Sequence, residues 1–171
     1  MDPRSPVLET ARLKLRAAAL SDAPFFLALL NDPSWLANIG DRGVRSGSDA
    51  ERYIRDSVQA PYQALGYGMY VVQLKASGLP IGVCGLVKRD FLPAPDLGFA
   101  LLPGFVGFGY ASEAARAVVG DAQRALGIGQ LYAIVKRGNQ RSEKLLGALG
   151  FHRQGPYPTA DGTAVDLYVT T

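Results

Sequence analysis

The sequence predicts an α/β or α+β domain with a mixed β-sheet. Three observations lead to this class: a strictly alternating segment at residues 12–16, three apolar segments between residues 69 and 102, and two helical segments that alternate with strands after residue 110. The order is a strand, helices, three strands, and then helix, strand, helix, strand. An order of this kind combines antiparallel hairpins with a parallel crossover, and so predicts a mixed sheet.

The N-terminal part opens with a strand and continues with helices. Residues 12–16 alternate charged and apolar side chains, as expected for a strand with one face in water. Ser21-Asp22 is a helix N-cap signal, and Asn31-Asp32-Pro33 ends that helix. A short helical turn is predicted at residues 35–39, and the capping-box pattern at 48–51 opens a helix that extends to about residue 59.

The C-terminal part alternates strands with helices. Two apolar, β-branched segments flank Ser77-Gly78 and predict a hairpin, which a third strand follows. The later helical segments each carry an apolar stripe with a period of 3.6 residues. The predicted strands are residues 69–74, 79–87, 97–102, 131–135 and 165–169, and the predicted helices are 112–126 and 140–149.

Composition excludes several classes of protein. The 171 residues, 48% of them hydrophobic, predict a single domain over 1–171 with one sizeable core. A net charge of +3 is too small to indicate nucleic-acid binding. One cysteine and one histidine exclude an intrachain disulfide and a tetrahedral zinc site of those ligands, so no metal is expected.

The segment Met1 to Pro6 is polar and is not followed by an apolar run, so it does not predict a signal peptide. No segment approaches the roughly 20 apolar residues of a membrane span. We therefore expect a cytoplasmic protein without a membrane partner.

A glycine-rich loop carries most of the functional information. Residues 103–114 read PGFVGFGYASEA and join an apolar strand to an amphipathic helix. Glycines allow backbone N–H groups to converge on an anion, and the helix N-terminus adds a partial positive charge. This pattern predicts a phosphate or pyrophosphate site; the alternative is a turn that only connects strand and helix.

Three phosphate-binding motifs are possible in such a loop. A Walker A loop requires Gly-Lys-Ser/Thr, which the sequence lacks. A dinucleotide fingerprint could use Gly107 and Gly109, but Ser112 stands where the third glycine or alanine belongs. The next strand ends in Lys136-Arg137, which could suit a 2′-phosphate, so an NADP site stays open as an alternative. The third possibility is coenzyme A.

The residues carry a family resemblance that favours coenzyme A. The chain resembles the GNAT superfamily of acyl-CoA-dependent N-acyltransferases, and within it the ribosomal-protein N-terminal acetyltransferases of the RimJ/RimL-like branch. The resemblance covers nearly the whole chain, and it is densest at GFGYASEA and at Asn139-Gln140-Arg141-Ser142. The matching segments are residues 8–16, 21–23, 30–33, 81–86, 96–103, 107–114, 139–142 and 149–151.

The resemblance implies a GNAT fold, with a mixed, mostly antiparallel central sheet that is splayed around the CoA site and flanked by helices. It implies that backbone groups along the strand bond the pantetheine arm, with one N–H acting as oxyanion donor to the thioester carbonyl, and that loop amides hold the pyrophosphate. Asn139 would bond the pantetheine or the acetyl region. The implied binding residues are Phe99, Leu101 and Leu102 for the arm; Val106, Gly107, Phe108, Gly109, Tyr110, Ala111 and Ser112 for the pyrophosphate; and Asn139 and Ser142.

Two side chains are candidates for catalysis. Many GNAT proteins protonate the leaving thiolate with a tyrosine seven residues after the asparagine, but this chain has Leu146 there. In the branch that the chain resembles, the corresponding donor is Ser142, whose alternative role is a small residue on a helix face. Asp96 matches an acidic strand position and could orient a water or the amine; the alternative is a solvated charge at a strand end.

The loop departs from the family pattern at two positions. Val106 stands where glutamine or arginine is common, and Phe108 stands where lysine is common. Because backbone amides hold the phosphates, we expect these changes to weaken CoA binding without abolishing it. Nearby cations could supply phosphate charge or could be solvated surface residues; they are Lys136, Arg137, Arg141 and Lys144.

These observations predict an enzyme that transfers acetyl from acetyl-CoA to a primary amine, either a protein N-terminal α-amine or a small molecule. Attack is expected to be direct, because Cys84 lies in a strand without an identifiable base. His152 matches no catalytic position, and Trp35 could line the acceptor pocket. The alternatives are an acyl-CoA-binding sensor module without turnover and an NADP-binding enzyme.

Overall fold

The computed structural model describes residues 7–171 and contains one continuous eight-stranded sheet, in the order β1-β2-β3-β4-β5-β6-β8-β7. The segment Met1 to Pro6, interpreted above as too polar for a signal peptide, lies outside the described residues. The strands are β1 Leu8–Glu9, β2 Leu13–Arg16, β3 Met69–Leu74, β4 Pro80–Val87, β5 Asp96–Leu101, β6 Tyr132–Lys136, β7 Phe151–Tyr157 and β8 Val165–Thr170.

Helices cover both faces of the sheet. Residues 47–65 form one continuous helical segment whose middle, Ile54–Gln59, is π-helical, and short 3₁₀ turns occupy Leu20–Asp22 and Pro103–Phe105. The α-helices are α1 Ala23–Leu30, α2 Pro33–Asn38, α3 Gly47–Tyr53, α4 Ala60–Leu65, α5 Tyr110–Arg124 and α6 Gln140–Ala148.

Alternating side chains of the strands build a core on each side of the sheet. On one face, Val72 and Ile81 pack with Ala115 of α5 and Leu146 of α6. On the opposite face, Val71 packs with residues of α1, α2 and α3 and of the π-helical segment. The sheet therefore separates α5 and α6 from the N-terminal helices, as the period-2 alternation of strand side chains requires.

The sheet opens between β5 and β6. All other neighbouring strands pair antiparallel, whereas β5 and β6 are parallel and share a single register pair, Asp96 with Tyr132. That pair lies at the first residue of both strands, and the Tyr132 N–H donates to the Pro95 carbonyl at 3.0 Å. The strands then diverge toward Leu101 and Lys136, which leaves a gap that widens toward their carboxyl ends. This sheet confirms the predicted mixed, mostly antiparallel fold with a splayed centre.

Most predicted elements occur, with shifted ends. The third helix begins at Gly47, two residues earlier than the capping-box pattern at 48–51 predicts. Its N-cap is Ser46, whose side chain accepts from the Asp49 N–H. It continues to Leu65 rather than ending near residue 59. Pro61 lacks the N–H that a regular helix would use, and the π-helical turn precedes it.

Two strands are absent from the predicted order. β1 has only two residues, too few to show an alternation. β7 contains Gly155 and Pro156, and its register shifts between Arg153 and Gly155. A bulge of this kind interrupts the alternation that identifies a strand in a sequence.

Candidate functional site

The glycine-rich loop turns sharply between β5 and α5. After the turn Pro103–Phe105, Val106 is extended, with φ −77° and ψ 141°, and Gly107 and Gly109 take φ values of +93° and +81°. Side chains strongly disfavour this left-handed region, so the loop needs glycine at both positions. Gly109 is the N-cap, and α5 begins at Tyr110, two residues earlier than predicted.

The loop presents unused backbone donors. The first hydrogen bond of α5 runs from the Glu113 N–H to the Gly109 carbonyl at 3.0 Å. Within the described residues 7–171, the N–H groups of 107–112 have no protein acceptor. Consecutive free N–H groups at a helix start form an anion site with the helix dipole behind them. The predicted loop residues, Val106 to Ser112, thus form one turn whose free N–H groups lie at the start of α5.

The free edge of β5 faces the gap. The Leu102 N–H donates to the Ile81 carbonyl at 2.8 Å, so residue 102 and every second residue before it bond toward β4. By the alternation of a strand, the backbone N–H and C=O groups of Phe99 and Leu101 point into the gap between β5 and β6. Leu102 differs from the expectation, because its N–H is already used within the sheet.

The start of α6 forms the opposite wall. Asn139 caps this helix: its Oδ1 accepts from the Ser142 N–H at 3.4 Å, which leaves the amide nitrogen of Asn139 free to donate elsewhere. Ser142 lies one turn before Leu145 and Leu146, which pack in the core, so it belongs to the sheet-facing side of α6. Because α5 and α6 both begin beyond the carboxyl ends of parallel strands, their N-termini flank one crevice.

Asp96 lies at the closed end of the gap, away from the loop. Its side chain is 4% exposed, and the Arg89 Nε donates to its Oδ1 at 3.0 Å. Burial raises the pKa of Asp96, and Arg89 opposes that rise. Asp96 is therefore not the solvated strand-end charge considered as its alternative. The structure does not bring it next to Ser142, which follows the opposite end of β6.

An unpredicted network joins the loop to the N-terminal strands. The Arg12 Nε and Nη2 both contact Glu113 Oε2 at 2.7 Å, and the Arg12 Nη1 donates to the Phe108 carbonyl at 2.9 Å. Thr10 Oγ1 donates to Glu113 Oε1 at 2.6 Å. The Arg12 guanidinium also lies 4.4 Å from the centre of the Tyr110 ring. No sequence pattern links residues that are about a hundred positions apart, so this contact could not be predicted.

Two of the four candidate phosphate cations are engaged within the protein. Lys136 Nζ donates to the Ala37 carbonyl of α2 at 2.6 Å, and Arg137 contacts the buried Asp166 at 3.2 Å. Arg141 and Lys144 are exposed on the first turns of α6. Of the four cations, only these two make neither a salt bridge nor a side-chain hydrogen bond among residues 7–171.

The structure also defines the surroundings of three other residues that the sequence singled out. Cys84 is buried, and burial raises the pKa of its thiol to about 12, which removes it as a nucleophile at neutral pH. His152 is exposed on β7. Trp35 is buried in the core beneath the N-terminal helices, and its Nε1 donates to the Gly40 carbonyl at 3.0 Å.

A splayed parallel strand pair with a loop of free backbone N–H groups at its open end defines a class of protein that can hold an extended, phosphate-bearing ligand between two strands. The family model that matches is the acetyltransferase (GNAT) domain, over residues 12–152. The chain belongs to the GNAT acetyltransferase family. This match confirms the family resemblance and the prediction of an acetyl-CoA-dependent N-acetyltransferase at the level of the family.

Similar proteins agree with this assignment. The chain is 28% identical over 170 residues, 96% of this chain and 94% of the relative, to a Bacillus subtilis protein named "Uncharacterized N-acetyltransferase YoaA". An acetyltransferase structure from Agrobacterium tumefaciens is 27% identical, with a TM-score of 0.82, covering 97% of this chain and 94% of that one. RimL, a ribosomal L7/L12 α-N-protein acetyltransferase in complex with coenzyme A, shares the fold at 22% identity and a TM-score of 0.81, covering 96% and 97%.

The described residues offer neither a metal site nor a membrane-spanning helix. Across 7–171, no cluster of three or more His, Cys, Asp or Glu side chains is placed to hold a metal ion. No helix in that part of the chain is long and apolar enough to cross a membrane.

Proposed function

We propose that the protein transfers the acetyl group of acetyl-CoA to a primary amine by direct attack. The observation that carries this proposal is the single register pair between β5 and β6, with the free N–H groups of residues 107–112 at the open end of the gap. A ligand with a pyrophosphate at one end and a thin, hydrogen-bonding arm at the other matches both features. We also propose that residues 1–171 act as one catalytic domain in the cytoplasm.

The residues present fit coenzyme A. Loop N–H groups around Gly107 and Gly109 would bond the pyrophosphate, and the free edge of Phe99 and Leu101 would bond the arm as an added strand does. Asn139 keeps a free amide nitrogen for the same arm. Acetyl-CoA supplies a thioester that the amine attacks, forming a C–N bond as the C–S bond breaks.

The chain's own groups would manage charge during this transfer. A backbone N–H at the β5 edge would donate to the oxyanion, where Phe99 is the candidate nearest to the closed end. The Ser142 hydroxyl would donate to the leaving thiolate, since Leu146 is fully buried at the position of the family tyrosine. Asp96, on the face opposite to α5, would orient the amine or a water that takes its proton.

The acceptor is proposed as a protein N-terminal α-amine or a small-molecule amine. The RimL structure supports the first choice, because its own substrate is named as a ribosomal protein and the folds agree. An NADP site is disfavoured by the sheet: within residues 7–171 the loop follows β5, which pairs antiparallel with β4, whereas a dinucleotide-binding loop follows the first strand of a mostly parallel sheet. A sensor without turnover is the second candidate, favoured by the ion pair that already occupies Asp96.

Turnover tests the proposal directly. The protein would be mixed with acetyl-CoA and a panel of amines, including peptides with a free α-amine, the same peptides with a blocked α-amine, polyamines and amino acids, and free thiol release would be followed. We expect thiol release with at least one free amine and none with its blocked form. Acetyl-CoA binding without release for any amine would instead support the sensor.

Two glycine variants provide the control. Gly109→Glu strains a left-handed position, puts its Cβ 3.4 Å from Arg12 Nη2 and brings a negative charge to the loop, so we expect thiol release to be lost. Gly127→Glu has comparable backbone strain, with φ +66°, beyond the opposite end of α5, so we expect release to be kept. Equal loss in both variants would attribute the effect to folding, whereas release kept by Gly109→Glu would contradict the assignment of the loop.

A further inference from the structure

Arg12 contacts the glycine-rich loop at several points, although the family resemblance implies no role for it. Its guanidinium contacts Glu113 Oε2 and the Phe108 carbonyl and lies over the Tyr110 ring, and its backbone N–H donates to Glu113 Oε1 at 2.9 Å. Arg12 precedes β2 and lies about a hundred residues before the loop, so this is a tertiary contact.

The contact with the Phe108 carbonyl sets the direction of the next N–H. In a trans peptide the C=O and the following N–H point in opposite directions, and the described chain has no cis peptide bond. Holding the Phe108 C=O toward Arg12 therefore turns the Gly109 N–H away from Arg12. That N–H is one of the free donors of the anion site.

The contact with Glu113 addresses a charge conflict. Glu113 lies in the first turn of α5, where a carboxylate opposes the binding of a second anion at the same helix start. Hydrogen bonds from Thr10 and Arg12 outweigh burial and lower the pKa of Glu113, so this carboxylate is charged at neutral pH. The adjacent Arg12 guanidinium compensates that charge at 2.7 Å.

We propose that Arg12 is a positioning residue for the CoA pyrophosphate, which it serves by aiming the Gly109 N–H and by neutralising Glu113 beside the anion site. The inference rests on the proposed binding of acetyl-CoA. It adds a residue from the turn between β1 and β2 to a site otherwise built from residues 96–142. It also predicts that Arg12 matters for ligands with a pyrophosphate and not for those without one.

The test compares Arg12→Ala with the wild type by calorimetric titration of CoA and by steady-state kinetics. We expect the Kd for CoA and the KM for acetyl-CoA to rise about tenfold or more, the effect of losing one charge-assisted hydrogen bond, with little change in kcat. S-acetylpantetheine, a thioester without phosphates, is the second substrate, and its kcat/KM should be unchanged. Arg45→Ala, which removes an arginine that also bonds a carboxylate and a carbonyl, is the matched control.

A double variant separates charge compensation from simple packing. Arg12→Ala/Glu113→Gln removes the uncompensated carboxylate, so we expect it to bind CoA more tightly than Arg12→Ala alone. The inference would be overturned if the double variant bound CoA no more tightly than Arg12→Ala. It would also be overturned if Arg12→Ala lowered kcat/KM equally for acetyl-CoA and S-acetylpantetheine. Wild-type protein that does not bind CoA would overturn the proposed function as well, whereas unchanged CoA binding by Arg12→Ala would overturn the inference alone.

Discussion

Replacement of Arg89 by methionine would leave a buried carboxylate without its partner. Asp96 is 3% exposed, and the Arg89 Nε contact at 3.0 Å is its one salt bridge within residues 7–171. Methionine keeps an apolar stem of similar length and removes the charge, so Arg89→Met tests the ion pair rather than the packing.

The structure sets the size of the effect. Removing one partner of a fully buried ion pair costs about 3–5 kcal/mol, because the remaining charge is desolvated and uncompensated. The Arg89 side chain is 37% exposed, so water reaches this pair and screens it. We therefore expect Arg89→Met to lower the free energy of unfolding at neutral pH by about 2 kcal/mol.

The loss should depend on pH in a defined direction. Burial already raises the pKa of folded Asp96 above its unfolded value of about 4, and losing Arg89 raises it further. A carboxyl with a raised folded pKa stabilises the fold below its unfolded pKa and loses that stabilisation as pH rises through the folded pKa. The difference between variant and wild type should therefore be full at pH 7.5 and should shrink toward pH 4.5.

Urea unfolding at these two pH values measures the difference in free energy of unfolding between the variant and the wild type. The contributions of the other carboxyl groups cancel because both proteins contain them. Arg89→Met/Asp96→Asn is the control: without a titrating group at residue 96, it should show no pH-dependent change relative to Asp96→Asn. A deficit of equal size at both pH values would refute the reasoning, since it would exclude the desolvated Asp96 charge as its cause.

Three further predictions concern the interior and the thiolate donor. Ser142→Ala should lower kcat about tenfold to a hundredfold with CoA affinity retained, the effect of losing a hydrogen bond to a charged group, and single-turnover thiol release measures it; an unchanged kcat would remove Ser142 from the mechanism. Leu146→Tyr, which restores the family tyrosine at a fully buried position, should lower the free energy of unfolding by about 1–3 kcal/mol through overpacking rather than increase turnover, as urea unfolding and kinetics would show. Cys84 should resist a disulfide-exchange reagent at pH 8 in the native protein and react in urea, because its pKa is raised to about 12; rapid native reaction would contradict its burial.

The sequence predicts those strands and helices whose hydrophobic residues follow a regular pattern. The strands β3, β4 and β5 and the helices α5 and α6 carry continuous apolar runs or a clear hydrophobic period, and the structure places every end of these elements within two residues of the prediction. β7 has no such period, because Gly155 and Pro156 lie at its bulge. The continuation of the third helix past Pro61 is a tertiary effect, since proline by itself predicts an end.

The residues of the candidate site also fall into two groups, those that local sequence patterns predict and those that depend on tertiary contacts. Glycines 107 and 109, the capping Asn139 and the strand before the loop are local features, and their residue types indicate what each can bind. The Arg12–Glu113 contact and the burial of Asp96 against Arg89 depend on which strands become neighbours. Ion pairs between distant segments have no characteristic spacing in a sequence, so these contacts could be identified only from the structure.

Calorimetric titration of acetyl-CoA, CoA and NADPH into the wild type, Gly109→Glu and Gly127→Glu tests the central claim most directly. We expect acetyl-CoA and CoA to bind the wild type and Gly127→Glu, binding to be lost in Gly109→Glu, and NADPH not to bind. Folded wild-type protein that fails to bind acetyl-CoA, or that binds it equally well in the Gly109→Glu variant, would contradict the assignment of the β5–β6 gap and its loop as the acetyl-CoA site.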